Sequence, residues 1–233
     1  MSLGDAAAAT DNFRLLAPRR AQYFFEMMQR PTAAISQHFK MPEPKNFAIF
    51  VTALTAAMLA LQWCGEPVTA MLRFERALIA AQPWRLLTTH FVHLGWWHCL
   101  LNVGGFLVWS LLAQRAGLRR HFAVLLLVCM LTGAGLLLVP RVHSYAGFSG
   151  VLYGLFAWSF AARWRAGEKV YIVGLALLGA RIAWQIAGPP SHQEEALIGG
   201  TVLGEAHLIG ACAGLLMAAV FARPVEPLGT GYT

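Results

Sequence analysis

The chain has 233 residues, of which 58% are hydrophobic and 12% charged, with a formal net charge of +7. A soluble domain carries roughly a quarter charged residues, so composition argues against a large soluble core and for the lipid bilayer. The positive charge does not indicate a nucleic-acid partner, because the basic residues sit in short loops between apolar runs, where they signal topology.

Residues 1–45 hold Arg14, Arg19, Arg20, Arg30, Lys40 and Lys45, with prolines at 18, 31, 42 and 44. This segment is expected to be a cytoplasmic tail, helical at most over Ala21–Arg30, and it carries no signal-peptide pattern. The first apolar run, about Phe47 to Trp63, predicts a membrane-spanning helix that Gly65-Glu66-Pro67 ends. From Glu66 to Arg85, charged and apolar residues alternate too closely for a span, which predicts a short helix lying in the interface. Further spans are expected over about Gly95–Ala113, Phe122–Val139, Ser149–Ala162, Val170–Ala187 and Val202–Phe221. A polar loop with His192, Glu194 and Glu195 separates the last two.

Six spans make an all-α integral membrane bundle, with residues 46–222 as one catalytic domain and 223–233 as a short C-terminal tail. Of the 18 lysines and arginines, 13 fall in the tails and the 2–3 and 4–5 loops, while Arg73, Arg76, Arg85 and Arg141 fall opposite and Arg181 lies within span five. The positive-inside rule therefore puts both termini in the cytoplasm. Cys64, Cys99, Cys129 and Cys212 lie in or beside apolar runs without paired spacing. They read as buried, unpaired thiols rather than as a disulfide or metal set.

Polar residues inside spans cost a few kcal/mol each near the bilayer centre, so they mark function or a partner. In span six, His207 lies three residues before Gly210, and Gly214 follows four later, so the histidine projects toward a close helix contact. Its plain alternative is a histidine bonded to a neighbouring carbonyl. Span four opens on Gly147-Phe148-Ser149-Gly150, with Tyr153 one turn on. Unpaired amides at a helix start are suited to holding an oxyanion beside Ser149, although an N-cap serine is common. In span two, His98 and Asn102 share a face at i, i+4. His90 and His93 precede them, but with no carboxylate or cysteine at ligand spacing a metal site is not expected. Serine needs an adjacent base to become a nucleophile, and histidine is the usual one. No aspartate is available to orient His207, and Glu205 faces elsewhere, so the expected unit is a Ser–His dyad without cofactor.

The set Trp84-Arg85, His98-x-x-x-Asn102, Gly147-x-Ser149-Gly150 and Ala206-His207-x-x-Gly210 resembles the rhomboid intramembrane serine proteases. The resemblance implies Ser149 as nucleophile, His207 as base, His98 and Asn102 at the oxyanion, and Tyr153 packed on His207. Gly147, Gly150 and Gly210 would support the site. The phrases His93-Leu-Gly-Trp-Trp-His98, Tyr145-Ala-Gly-Phe-Ser149-Gly and Ile198-Gly-Gly-Thr-Val-Leu-Gly-Glu-Ala-His207 are most similar to the bacterial rhombosortase branch. Phe148, Tyr153, Arg181 and Gln185 depart from that branch's usual residues. It implies single-pass substrates with a glycine-rich motif before a C-terminal span (GlyGly-CTERM tails). These would be cut near the outer leaflet of the bacterial inner membrane, with the site open to the periplasm through an entrance that His90 and His93 help to line. A rhomboid-like pseudoprotease that binds spans without cutting them is the main alternative. A small transporter is a more distant one, since the half-helix pairs and midplane carboxylates of that class are absent.

Overall fold

A computed structural model describes residues 44–113 and 117–221. The tail expected over 1–45, apart from its last two residues, and the tail expected over 223–233 lie outside the described residues.

The described residues form nine α-helices and two very short strands. Helix α1 is Pro44–Trp63. The stretch expected as one interfacial helix is instead a series of pieces. These are α2 (Glu66–Leu72), β1 (Phe74–Glu75), a 3-10 turn over Arg76–Leu78 and α3 (Arg85–Thr88). Then come α4 (Trp96–Leu112), α5 (Leu118–Gly135), β2 (Ser144–Tyr145) and α6 (Ser149–Arg165). The last described elements are α7 (Tyr171–Ala187), α8 (His192–Ile198) and α9 (Gly204–Val220).

Helix α8 stands where a loop was expected. Ser191 accepts the Glu194 amide as an N-cap, Glu194 and Glu195 lie in the first turn, and Gly199 closes the helix at φ +78°. Each feature stabilises a helix terminus.

By length and apolar composition, Lys45–Trp63 and Leu118–Leu138 suffice to cross a bilayer. The pairs Arg85–Phe91 with Trp96–Leu112, bent by 90°, and α7 with α8, bent by 97°, pass the same test together. Large apolar side chains such as Trp63, Leu111, Leu138 and Leu177 are exposed on the outside of the bundle. A soluble protein would not present so much contiguous apolar surface.

Helix α9 packs mainly on α6, then on α5 and α7. Glycine makes the α6–α9 contact this close. A Cβ on Gly210 would collide with the Gly150 carbonyl, one on Gly214 with the Gly154 carbonyl, and one on Gly154 would lie 2.6 Å from the Gly210 carbonyl oxygen. The two i, i+4 glycine pairs thus mesh backbone to backbone, as small residues permit between apolar helices. Below this contact the core is aromatic: Phe106, Trp109, Phe148 and Trp158 are fully buried. The Trp109 indole donates to Ser159 Oγ at 2.9 Å and to the Leu155 carbonyl at 3.1 Å, so its polar edge is satisfied.

The segment before α4 is tied to the loop before α6. Phe74 pairs with Tyr145, and Glu75 with Ser144. Thr89 Oγ1 accepts the Phe74 amide at 3.0 Å and donates to the Tyr145 carbonyl at 2.5 Å, while the Thr89 carbonyl accepts the Gly147 amide at 3.0 Å. The Arg76 guanidinium binds the carbonyls of Leu136, Leu137, Val139 and Val142. Buried Arg85 donates to Gln82 Oε1 and to the Ala70 and Arg73 carbonyls. These arginines act as multi-dentate braces that tie turns and helix ends together through backbone carbonyls.

Among the cysteines, Cys99 and Cys129 are buried, but Cys64 and Cys212 are exposed, which corrects the expectation that all four are buried. Cys64 lies in the turn that follows α1, and Cys212 lies on an exposed position of α9.

Candidate active site

Ser149 is the first residue of α6, and His207 lies in the first turn of α9. The glycine mesh between these helices brings Ser149 Oγ within 2.8 Å of His207 Nε2. On the other side of the ring, His207 Nδ1 donates to Gln185 Oε1 at 2.7 Å. Tyr153 stacks flat on the imidazole, with centroids 4.2 Å apart and planes within 5°. A bonded Nδ1–H leaves Nε2 with its lone pair toward the serine, which is the tautomer a base requires.

Gly147 sits at φ +132°, a conformation that favours glycine, and a Cβ there would lie 2.7 Å from the His98 ring. His98 Nδ1 accepts the Leu94 amide at 3.5 Å, which leaves Nε2 as its N–H. That nitrogen is among the atoms nearest the Gly147 position, two residues before Ser149 in the chain. Asn102 is buried as well, but its side-chain amide donates to the His98 carbonyl one turn back, at 2.9 Å. The Tyr145 hydroxyl donates to the Gly147 carbonyl at 2.9 Å and accepts the Gly150 amide at 3.4 Å. Burial holds the Tyr145 phenol above its usual range, so it acts as a neutral bridge.

One expectation needs correction. His90 and His93 do not line an open entrance: both are essentially fully buried. His90 bonds the Cys129 carbonyl at 2.9 Å, and His93 stands edge-on to His98 with ring centroids 5.1 Å apart. Burial lowers His93 to about 3, with His98 adding to the effect, so it is a neutral packing residue. The loops that carry them fold inward because the Thr89 and Arg85 bonds draw that segment against the bundle. Glu205, expected to face away from His207, pairs with Arg141.

Sequence reasoning assigned no role to four contributors. Tyr145 and Thr89 gave no signal beyond their neighbourhood. Arg181 and Gln185 did: they are spaced i, i+4 on an otherwise apolar helix, as His98 and Asn102 are. Arg181 forms a two-pronged pair with Glu194 of α8, both contacts 2.6 Å. Among the described residues no cluster of His, Cys, Asp or Glu is arranged to hold a metal.

A family model described as the rhomboid domain matches residues 80–224. The chain belongs to the rhomboid family. Rhomboid protease GlpG of Yersinia enterocolitica serotype O:8 / biotype 1B is 28% identical over 140 residues, covering 59% of this chain and 48% of the relative. The proteins of the same name from Yersinia pestis (strain Pestoides F) and Yersinia pseudotuberculosis serotype O:3 (strain YPIII) are 26% identical over 175 residues. Each of these matches covers 73% of this chain and 58% of the relative. The chain thus spans about half the length of the curated relatives it matches. With its apolar helices, family membership makes it a membrane-integral protein.

Proposed function

We propose that this rhomboid is an intramembrane serine endopeptidase in which Ser149 is the nucleophile and His207 the general base. The observation that carries the reading is the 2.8 Å contact between Ser149 Oγ and His207 Nε2, which is the reach a nucleophile–base pair needs. Ser149 Oγ attacks the carbonyl carbon of a substrate peptide bond while its proton passes to His207 Nε2. The resulting oxyanion is held by the His98 Nε2–H and the Ser149 amide, with Asn102 completing the pocket. The C–N bond then breaks, and the imidazolium returns the proton to the leaving amine. Water hydrolyses the acyl-serine by the reverse sequence. Gly147, Gly150, Gly210 and Tyr153 shape this site without touching the reacting atoms.

The chain crosses the membrane six times, through α1, α4, α5, α6, α7 and α9, with residues 46–222 as the catalytic domain. Both tails lie in the cytoplasm, and Ser149 and His207 lie near the periplasmic side of a bacterial inner membrane. Three features support this: the charge bias of the loops, the exposed apolar helix faces and the family. The 17-residue α6 and α9 rise only about 26 Å at 1.5 Å per residue, less than the roughly 30 Å hydrocarbon core. The segment between α1 and α4 lies at the interface. The substrates are single-pass anchors of the GlyGly-CTERM type, with a glycine-rich motif before a C-terminal span, as in the rhombosortase branch. The phrases around His98, Ser149 and His207 support that branch.

The test is reconstitution into liposomes with a single-pass substrate carrying such a motif, beside one whose glycines are replaced by leucine. Cleavage of the first alone supports both activity and branch. Cleavage of both keeps the protease and removes the branch. Binding without cleavage by the wild-type chain identifies a pseudoprotease.

A further inference from the structure

We infer that Gln185 is the positioning residue of the Ser149–His207 pair, so that the working unit is Ser149–His207–Gln185 with a neutral amide in the orienting place. This rests on the protease reading of the same site. The expected dyad left the second imidazole nitrogen without a partner, and α7 supplies one.

The partly covered positions of α7 are Tyr171, Gly174, Leu175, Leu178, Arg181, Ile182 and Gln185. They recur every three or four residues and form one stripe facing the bundle. Two of its seven members are strongly polar, a costly choice at this depth unless both are engaged. Both are. Gln185 Oε1 accepts from His207 Nδ1 at 2.7 Å, and Arg181 is paired with Glu194. Tyr153 is the residue stacked on His207. His207 is therefore held by its edge from α7 and by its face from α6.

The amide's direction matters. Were Gln185 to donate to Nδ1, the imidazole proton would sit on Nε2, and His207 would be unable to take the serine proton. Only the accepting arrangement fits a base. A neutral acceptor fixes tautomer and ring angle but adds no negative charge to stabilise the imidazolium, unlike an aspartate.

The charged and titratable groups around the ring are Tyr153 on α6, Arg181 on α7 and His98 on α4. Arg181 is paired with Glu194 of α8, and Glu205, on the same helix as His207, is paired with Arg141. The positive charge nearest the base is thus already matched by α8.

The test uses the full chain in detergent micelles, with a fluorophosphonate probe that phosphonylates an activated serine. Labelling rate is measured against pH for wild type, Gln185→Leu and Gln185→Glu, with Ser149→Ala as control and thermal unfolding as the check on folding. Gln185→Leu keeps bulk and removes the acceptor. Its labelling rate is expected to fall by up to about 100-fold, the scale of a misplaced catalytic group. Gln185→Glu restores the acceptor and brings a carboxylate beside the imidazole. It is expected to recover most of the rate, with the pH of half-maximal labelling moved up by about one unit or more.

Wild-type labelling by Gln185→Leu would overturn the inference, as would equal slowing of both folded variants with an unshifted pH profile. If Gln185→Leu does not fold, Gln185→Glu decides by the presence or absence of its upward shift. Undiminished labelling of Ser149→Ala would remove the protease reading, and this inference with it, whatever the Gln185 variants do.

Discussion

Gly210 on α9 lies so close to the Gly150 carbonyl on α6 that no methyl group fits between them. One residue from Gly150 is Ser149, and three residues before Gly210 is His207. The glycine contact and the Ser149–His207 contact are therefore parts of one helix–helix seam, with the glycines setting the distance across which the hydroxyl and imidazole meet.

Gly210→Ala is accordingly expected to damage both stability and chemistry. Because backbone, not a flexible side chain, meets the new methyl, the helices must part, at a cost of about 1–3 kcal/mol. A lower thermal midpoint in detergent and a large drop in serine labelling are the expected readings. Gly179→Ala, on α7 where a Cβ meets nothing within 4 Å, is expected to change neither.

Thr89 makes a second prediction. Its hydroxyl joins the Phe74 amide to the Tyr145 carbonyl, and its own carbonyl holds the Gly147 amide. Thr89→Val leaves a buried N–H and C=O without that bridge, at about 1–3 kcal/mol for each unsatisfied group. Thr89→Ser keeps the hydroxyl and is expected to stay near wild type. Unfolding midpoints of the pair separate the hydrogen bonds from simple packing.

His98 and Asn102 are expected to contribute unequally. The His98 ring packs on Gly147, two residues before the serine, whereas the Asn102 amide is engaged by the His98 carbonyl. His98→Ala should lower kcat by about 100- to 1000-fold, the scale of one lost oxyanion donor. Asn102→Ala should lower it less, with part of its effect seen as lost stability. Steady-state cleavage of a single-pass substrate by both variants gives the comparison.

Buried His93 makes stability depend on pH. Its folded value, about 3, lies below the ordinary 6.5, so the unfolded chain takes up the proton first as pH falls. The stabilisation is fully present above about pH 6.5 and is lost progressively as pH drops toward 3. Thermal midpoints at pH 7 and pH 5 are expected to differ more in wild type than in His93→Leu, after allowing for any constant offset between the two proteins.

Much of this was legible in the chain because lipid makes polar residues conspicuous. Ser149, His207, His98 and Asn102 stood out against apolar runs, and the ends of α1, α6, α7 and α9 fall within a few residues of the expected boundaries. Other features escaped for physical reasons. The stretch from Glu66 to Arg85 alternates charge and hydrophobicity as an amphipathic helix would, but Arg76 binds carbonyls between Leu136 and Val142 and Arg85 folds back on the Ala70 and Arg73 carbonyls, and those bonds hold the helix in pieces. Helix α8 was hidden because its signal, Ser191 three residues before Glu194, sits in a short polar segment that also reads as a loop. Gln185 and Arg181 carried the same i, i+4 signal as His98 and Asn102. What the spacing could not give was a partner, because the His207 edge that Gln185 meets is set by tertiary packing.

The most direct measurement of the central claim is probe labelling with the modified residue mapped by mass spectrometry. Wild-type protein should carry one phosphonyl adduct on Ser149, and the adduct should vanish in Ser149→Ala and fall sharply in His207→Ala. An adduct on another residue, or undiminished labelling of folded His207→Ala, would contradict a nucleophile at Ser149 activated by His207.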